Sequence, residues 1–206
     1  MSVKQYKTVG EELWKQVPDK VVRSCSQNAE LFTLTYGALV VQLIKDYENY
    51  AEVNIQLERM CVPGLTQRGF NIGTRLVEEF LARSNLPRCT NLRETAEIVS
   101  KVGFKMFLNI TPTVAPPQDG ADPDHEFRLI LTENPLSEFV DLPTDAIRGG
   151  LWYSNIYCGV LRGALEMVQI QTECTFVSDT LRGDDTTEIC VHLQRFLDEE
   201  APPADD

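Results

Sequence analysis

Histidine is scarce, with two residues in 206, and none of the six cysteines forms a CxxC pair. A structural zinc site needs closely spaced thiolate or imidazole ligands, so a metal centre is not expected. Basic residues are outnumbered 19 to 31, which leaves a net charge of −12. Nucleic acid requires a basic face, so it is excluded as a partner, and electrostatic docking on anionic lipid is disfavoured. No apolar run approaches the roughly 20 residues needed to cross a bilayer. The longest candidates, Phe32 to Ile44 and Gly149 to Leu161, contain polar residues and read as core helices. The N-terminus is polar and charged, without the pattern of a secretory signal. The cysteines therefore read as reduced cytosolic thiols. Gly149-Gly150 lacks the lysine and hydroxyl residue of a phosphate loop, and no carboxylate pair stands out from the acidic surface.

What is present is a hydrophobic fraction of 43%, enough for one core. Residues 1–24 lack a sustained period: Val9, Leu13, Trp14 and Val17 suffice for one short amphipathic turn, which Pro18 stops, and the stretch reads as a flexible or loosely docked arm. From Asn28 to Tyr47, Leu31, Leu34, Ala38, Val41 and Ile44 recur at helical spacing. Val53, Leu57 and Met60 begin another helix, and the period resumes at Ile72, Leu76 and Phe80. Between them Cys61 to Arg68 is interrupted by Pro63-Gly64, a strong helix break. A helix is expected from Leu92 to Val102, a strand over Phe104 to Thr113, and a loop over Pro112 to Asp124. Glu126 to Thr132 alternates, with Phe127, Leu129 and Leu131 on one face, and completes a hairpin. A long helix is expected from Leu151 to Gln171. A second hairpin joins Glu173–Thr180 to Thr186–Phe196. The order predicts an α+β, two-layer domain over residues 25–197, with helices on one side of a four-stranded antiparallel sheet. Residues 198–206 form an acidic tail too polar to pack.

The chemistry concentrates at Ser84 to Glu94. Pro87 ends one helix, because residues before proline disfavour helical dihedrals. Asn91 caps the next, with Glu94 as a capping-box partner. Cys89 therefore stands at a helix N-terminus, with Arg88 beside it. Both features predict a lowered thiol pKa. A cysteine hydrolase is weakly supported, since neither His125 nor His192 sits in a catalytic motif. A thiol that accepts a fatty acyl group at the mouth of an apolar channel is the alternative. Burying about fifteen methylenes would contribute on the order of 10 kcal/mol. Gly159 and Gly163 share one face of their helix beside Val160. They leave room either for another helix or for a slender ligand in such a channel.

Several segments carry a resemblance. Glu30 to Val40, Gly69-Phe70-Asn71-Ile72-Gly73, Phe80 to Asn85, Arg93-Glu94-Thr95-Ala96 and above all Tyr153-Ser154-Asn155 with Cys158 to Val168 resemble the Bet family of small core subunits of TRAPP, the transport protein particle. The chain is most similar to the acylated third-subunit branch, because Cys89, preceded by Arg88, falls where that branch carries its palmitoylated cysteine. The resemblance implies a non-catalytic subunit, S-acylated at Cys89, with a covalent palmitate in an internal channel. It implies dimers with itself or with other small TRAPP subunits. It further implies a place in a vesicle-tethering and Rab-exchange complex of ER-to-Golgi and Golgi transport. The location would be cytoplasmic and peripheral on cis-Golgi and ER-derived membranes. Asp198, Glu199 and Glu200 become candidate contacts to the GTPase. Two departures stand out: the insertion at 61–68 and the unusual residues 1–24. The runner-up readings are a cysteine-dependent acyl-transfer enzyme and a lipid-binding sensor using the same cavity.

Overall fold

The computed structural model describes residues 3–15, 19–59, 72–87, 89, 91–117 and 122–197, with residues 19–29 described as backbone only. The insertion at 61–68, Arg88, and Asp198, Glu199 and Glu200 lie outside the described residues. Strands β1 (Thr113–Ala115), β2 (Glu126–Leu131), β3 (Ile170–Ser178) and β4 (Thr187–Phe196) form an antiparallel sheet in the order β1-β2-β4-β3. Alternation turns Phe127, Leu129 and Leu131 of β2, and Ile189, Val191 and Leu193 of β4, into the core. Phe127 faces Val191 and Leu129 faces Ile189 across the β2–β4 ladder, so the apolar pairs stack directly opposite each other. Gly183, at φ +96, closes the β3–β4 hairpin, a conformation that side chains rarely adopt.

The helices are α1 (Val3–Lys15), α2 (Asp19–Asp46), α3 (Tyr50–Arg59), α4 (Ile72–Ser84), α5 (Leu92–Ile98), α6 (Phe104–Leu108), α7 (Thr144–Arg148) and α8 (Ile156–Met167). Helix α8 carries seven buried residues and packs on β3, α4 and α3. Its entry is held by Asn54 of α3. That side chain donates to the Gly150 carbonyl at 2.8 Å and accepts from Trp152 N–H at 2.9 Å, while Asn155 donates to the Asn54 carbonyl at 2.9 Å. These bonds fix residues 150–155 in an irregular lead-in. The helix therefore starts at Ile156 rather than at Leu151 as the sequence suggested.

Two other expectations change. Phe104 to Leu108 is helical, not a strand. A π-helical turn, Val99–Gly103, joins α5 to α6, and the left-handed Asn109 ends the run. The extra residue in the turn shifts the phase of the apolar stripe, so the pattern after Gly103 looks like alternation. The strand that remains, β1, has only three residues. The arm expected over residues 1–24 is, in its first part, the helix α1, which buries Tyr6, Gly10 and Leu13. A Cβ at Gly10 would collide with the Lys101 carbonyl, so the backbone of α1 lies directly against the π turn.

Candidate apolar ligand site

An apolar cavity of about 610 Å³ lies between α4, the α5–α6 segment and α8. That volume is within the range of small-molecule sites. Helix α4 contributes Ile72, Leu76 and Phe80, which recur every four residues and so share one face. The α5–α6 segment contributes Val99, Phe104 and Phe107, and α8 contributes Val160, Leu161 and Ala164. None of the described residues lining it is charged. The α4–α8 contact that shapes one wall depends on Gly73. A Cβ there would stand 2.5 Å from the Val160 carbonyl oxygen and 3.2 Å from the Gly163 carbonyl carbon.

Cys89 lines this cavity together with Leu86, Pro87 and Thr95. It is half-buried and free. Asn91, in extended conformation, caps α5 as the sequence suggested, accepting from the Glu94 N–H at 2.8 Å. The thiol is not acidic, however. Burial pushes it above its ordinary value, outweighing the Thr95 hydroxyl and a backbone hydrogen bond, which pull it down, and the Glu94 carboxylate adds to the rise. This overturns the lowered value expected from a helix start. The dipole acts on a thiol in water, but here part of the water is gone and a carboxylate stands close. Glu94 in turn accepts a hydrogen bond from the Tyr6 hydroxyl. Burial, with that bond to Glu94, pushes Tyr6 up to about 12.

The other sequence candidates divide. Val160 lines the cavity, whereas Gly159 and Gly163 are buried residues of α8 and are not among its lining. The backbone of Gly163 lies at the close approach of α8 to Gly73 of α4. Sequence reasoning placed Leu76, Phe80, Val99, Phe104 and Phe107 in a core or a strand without assigning them to a site. It also missed Tyr6 and Thr95 beside the thiol. The four-residue spacing of Ile72, Leu76 and Phe80 was visible, but a core helix and a cavity wall share that pattern.

Residues 32–192 match the family model described as transport protein particle (TRAPP) component. The chain is 52% identical over 198 residues to the transport protein particle subunit bet3 of Schizosaccharomyces pombe, covering 96% of this chain and 97% of that one. It is also 52% identical over 201 residues to the trafficking protein particle complex subunit BET3 of Saccharomyces cerevisiae, covering 97% of this chain and 95% of that one. A crystal structure of a trafficking protein particle complex subunit 3 from Naegleria fowleri, covalently bound to palmitic acid, superposes with a TM-score of 0.75 at 43% identity. It covers 84% of this chain and 99% of that chain. With the family model spanning most of the chain and relatives matched along nearly their whole length, the chain belongs to the transport protein particle (TRAPP) component family, and within it to the Bet3 subunits.

Proposed function

We propose that the protein is a non-catalytic core subunit of a TRAPP complex, S-acylated on Cys89 with the acyl chain lying in the apolar cavity. The observation that carries this reading is a free thiol in the wall of an uncharged cavity of about 610 Å³. The palmitate bound covalently to the Naegleria fowleri subunit supports it. The residues fit the group: Phe80, Val99, Phe107 and Val160 would hold the chain, and Thr95 and Tyr157 are among the few polar groups beside it. The group supplies about fifteen methylenes of apolar surface, at roughly 0.8 kcal/mol each.

Acylation by a long-chain acyl thioester is a simple exchange. Cys89 Sγ attacks the acyl carbonyl carbon, a new S–C bond forms as the donor's own acyl C–S bond breaks, and the departing donor sulfur takes up the proton lost by Cys89 and leaves as a thiol. The raised pKa keeps the thiolate scarce at neutral pH, which suits one slow, stoichiometric event better than repeated turnover. In the assembled complex the subunit pairs with other small TRAPP subunits and contributes to Rab exchange in ER-to-Golgi and Golgi transport. Its membrane association is then peripheral, because the acyl chain is buried in the fold and does not serve as an anchor.

Intact mass spectrometry of protein from a eukaryotic host tests this. A palmitate-sized adduct, released by neutral hydroxylamine and missing from Cys89→Ser, is the expected result. An adduct-free wild-type mass would overturn it.

A further inference from the structure

We infer that α1 is a gate over the Cys89 site, latched by the hydrogen bond from the Tyr6 hydroxyl to the Glu94 carboxylate. The inference deepens the acylation reading above and rests on it. Tyr6 is only 2% exposed although it lies near the start of the chain. With Leu13 it packs on Ile98, Val102 and Met106, in an apolar cluster separate from the main core. Phe80, Leu86, Phe107 and Cys89 pack against that cluster, and the same four residues line the acyl cavity. The inner side of α1 is therefore backed by the cavity's own wall, next to the reactive sulfur.

The three residues that α1 buries all lie outside the main core. An element held this way opens locally while the rest of the fold stays shut. The Tyr6–Glu94 bond fastens it at the Cys89 side. Gly10 seats it, because only a residue without a Cβ clears the Lys101 carbonyl. In the closed position the thiol is half-buried and Glu94 is engaged by Tyr6. With α1 lifted, the sulfur and the neighbouring wall are open to an acyl donor. The regulation of the site then lies in α1: whatever displaces it promotes loading, and whatever fastens it retards loading.

The test uses the full chain with Tyr6→Phe, which removes the latch, and Gly10→Ala, which unseats the helix without touching Tyr6, Glu94 or Cys89. Two rates are measured. The first is acylation by palmitoyl-CoA, followed by intact mass; the second is iodoacetamide labelling of the Cys89 peptide, followed by mass mapping. Tyr6→Phe should raise both rates roughly fivefold, the factor that one lost hydrogen bond carries, and Gly10→Ala should raise both as well. Acyl capacity should stay at one per chain, and Cys158 and Cys174 should remain unlabelled. Cys89 labelling that is unchanged or slower in both variants overturns the gate, as does labelling of Cys158 and Cys174 in step with Cys89, which would mean global opening. If neither wild type nor variants accept an acyl group on Cys89, the acylation reading fails, while the iodoacetamide rates still decide the gate.

Discussion

Among the described residues, two hollows of nearly equal size and opposite chemistry are built on the same helical segment. One is the apolar cavity of about 610 Å³; the other is a cleft of about 600 Å³ between α1, the α5–α6 segment and β1. Glu97, Lys101 and Lys105, four apart, line the cleft, while Val99, Gly103 and Phe107, also four apart, line the cavity. Lys101 pairs with Glu97 along the helix, and Lys7 and Glu11 bring further charge from α1. Water and neighbouring charges satisfy such a cleft whether or not anything binds. The apolar hollow has no such recourse. Its walls gain only from contact with hydrocarbon, so its contents belong to the stability of the fold. Equal volume therefore does not mean equal consequence.

That contrast is broken most directly by changing what the apolar cavity holds. If only a third of the order of 10 kcal/mol from buried methylenes is realised, about 3 kcal/mol separates acylated from unacylated protein. For a chain of this size that is a difference in Tm of roughly 6–12 °C. Hydroxylamine treatment of the acylated protein, or Cys89→Ser, should lower Tm by that amount in calorimetry; equal melting points would make the two hollows energetically alike. The walls give the next largest effect. Leu165 is 3% exposed and lines the cavity, so Leu165→Ala should cost about 2–5 kcal/mol in urea unfolding. Lys105→Ala, in the wall of the polar cleft, should stay within about 0.5 kcal/mol.

The sheet and most helices could be read from the sequence because one period ran through each: Phe127, Leu129 and Leu131 alternate, and Leu76 and Phe80 repeat by four. The segment forming one wall of both hollows could not, because the π turn at Val99–Gly103 changes the phase in mid-helix. Two periods meet at Phe104, and neither extends far enough to prevail. At the site, Cys89 was identified from its capping sequence and the family resemblance, but its acidity was misjudged. Helix start and neighbouring arginine are local in sequence, whereas the burial that raises the thiol comes from packing against residues far along the chain. Gly163 was ambiguous for the same reason, since its partner Gly73 lies on another helix. Helix α1 was missed because Tyr6, Gly10 and Leu13 include a glycine, whose place in a buried face depends on close approach rather than on hydrophobicity.

Gly73 tests whether the apolar hollow is held open by one close contact. Gly73→Ala places a methyl group 2.5 Å from the Val160 carbonyl and 2.9 Å from the Ala164 nitrogen, both backbone atoms that cannot swing aside. Helix α4 must move off α8, at about 1–3 kcal/mol, a typical cost of overpacking. Urea unfolding should show that loss, and acyl capacity by intact mass should fall with it. Retention of both would mean that α4 tolerates displacement and that the wall is not set at this contact.

Titration separates the thiols of the two regions. Burial raises Cys89, and in the main core it raises Cys174 further, to about 12, with the Thr172 hydroxyl opposing. A raised thiol binds its proton more tightly folded than unfolded. Its contribution to stability is therefore complete below the unfolded value, near 9, and is lost as pH climbs through the folded one. Folding stability should fall between pH 9 and 12 by up to about 1.4 kcal/mol per pH unit for Cys174. Cys174→Ala should flatten that slope in urea titrations at successive pH values, while Cys89→Ala should change it less. Labelling of Cys89 by iodoacetamide should meanwhile rise about tenfold per pH unit up to a midpoint above 9, because only the thiolate reacts. A midpoint below 8 would show that the helix start and Arg88 outweigh burial, and would return Cys89 to the acidic thiol that its local sequence describes.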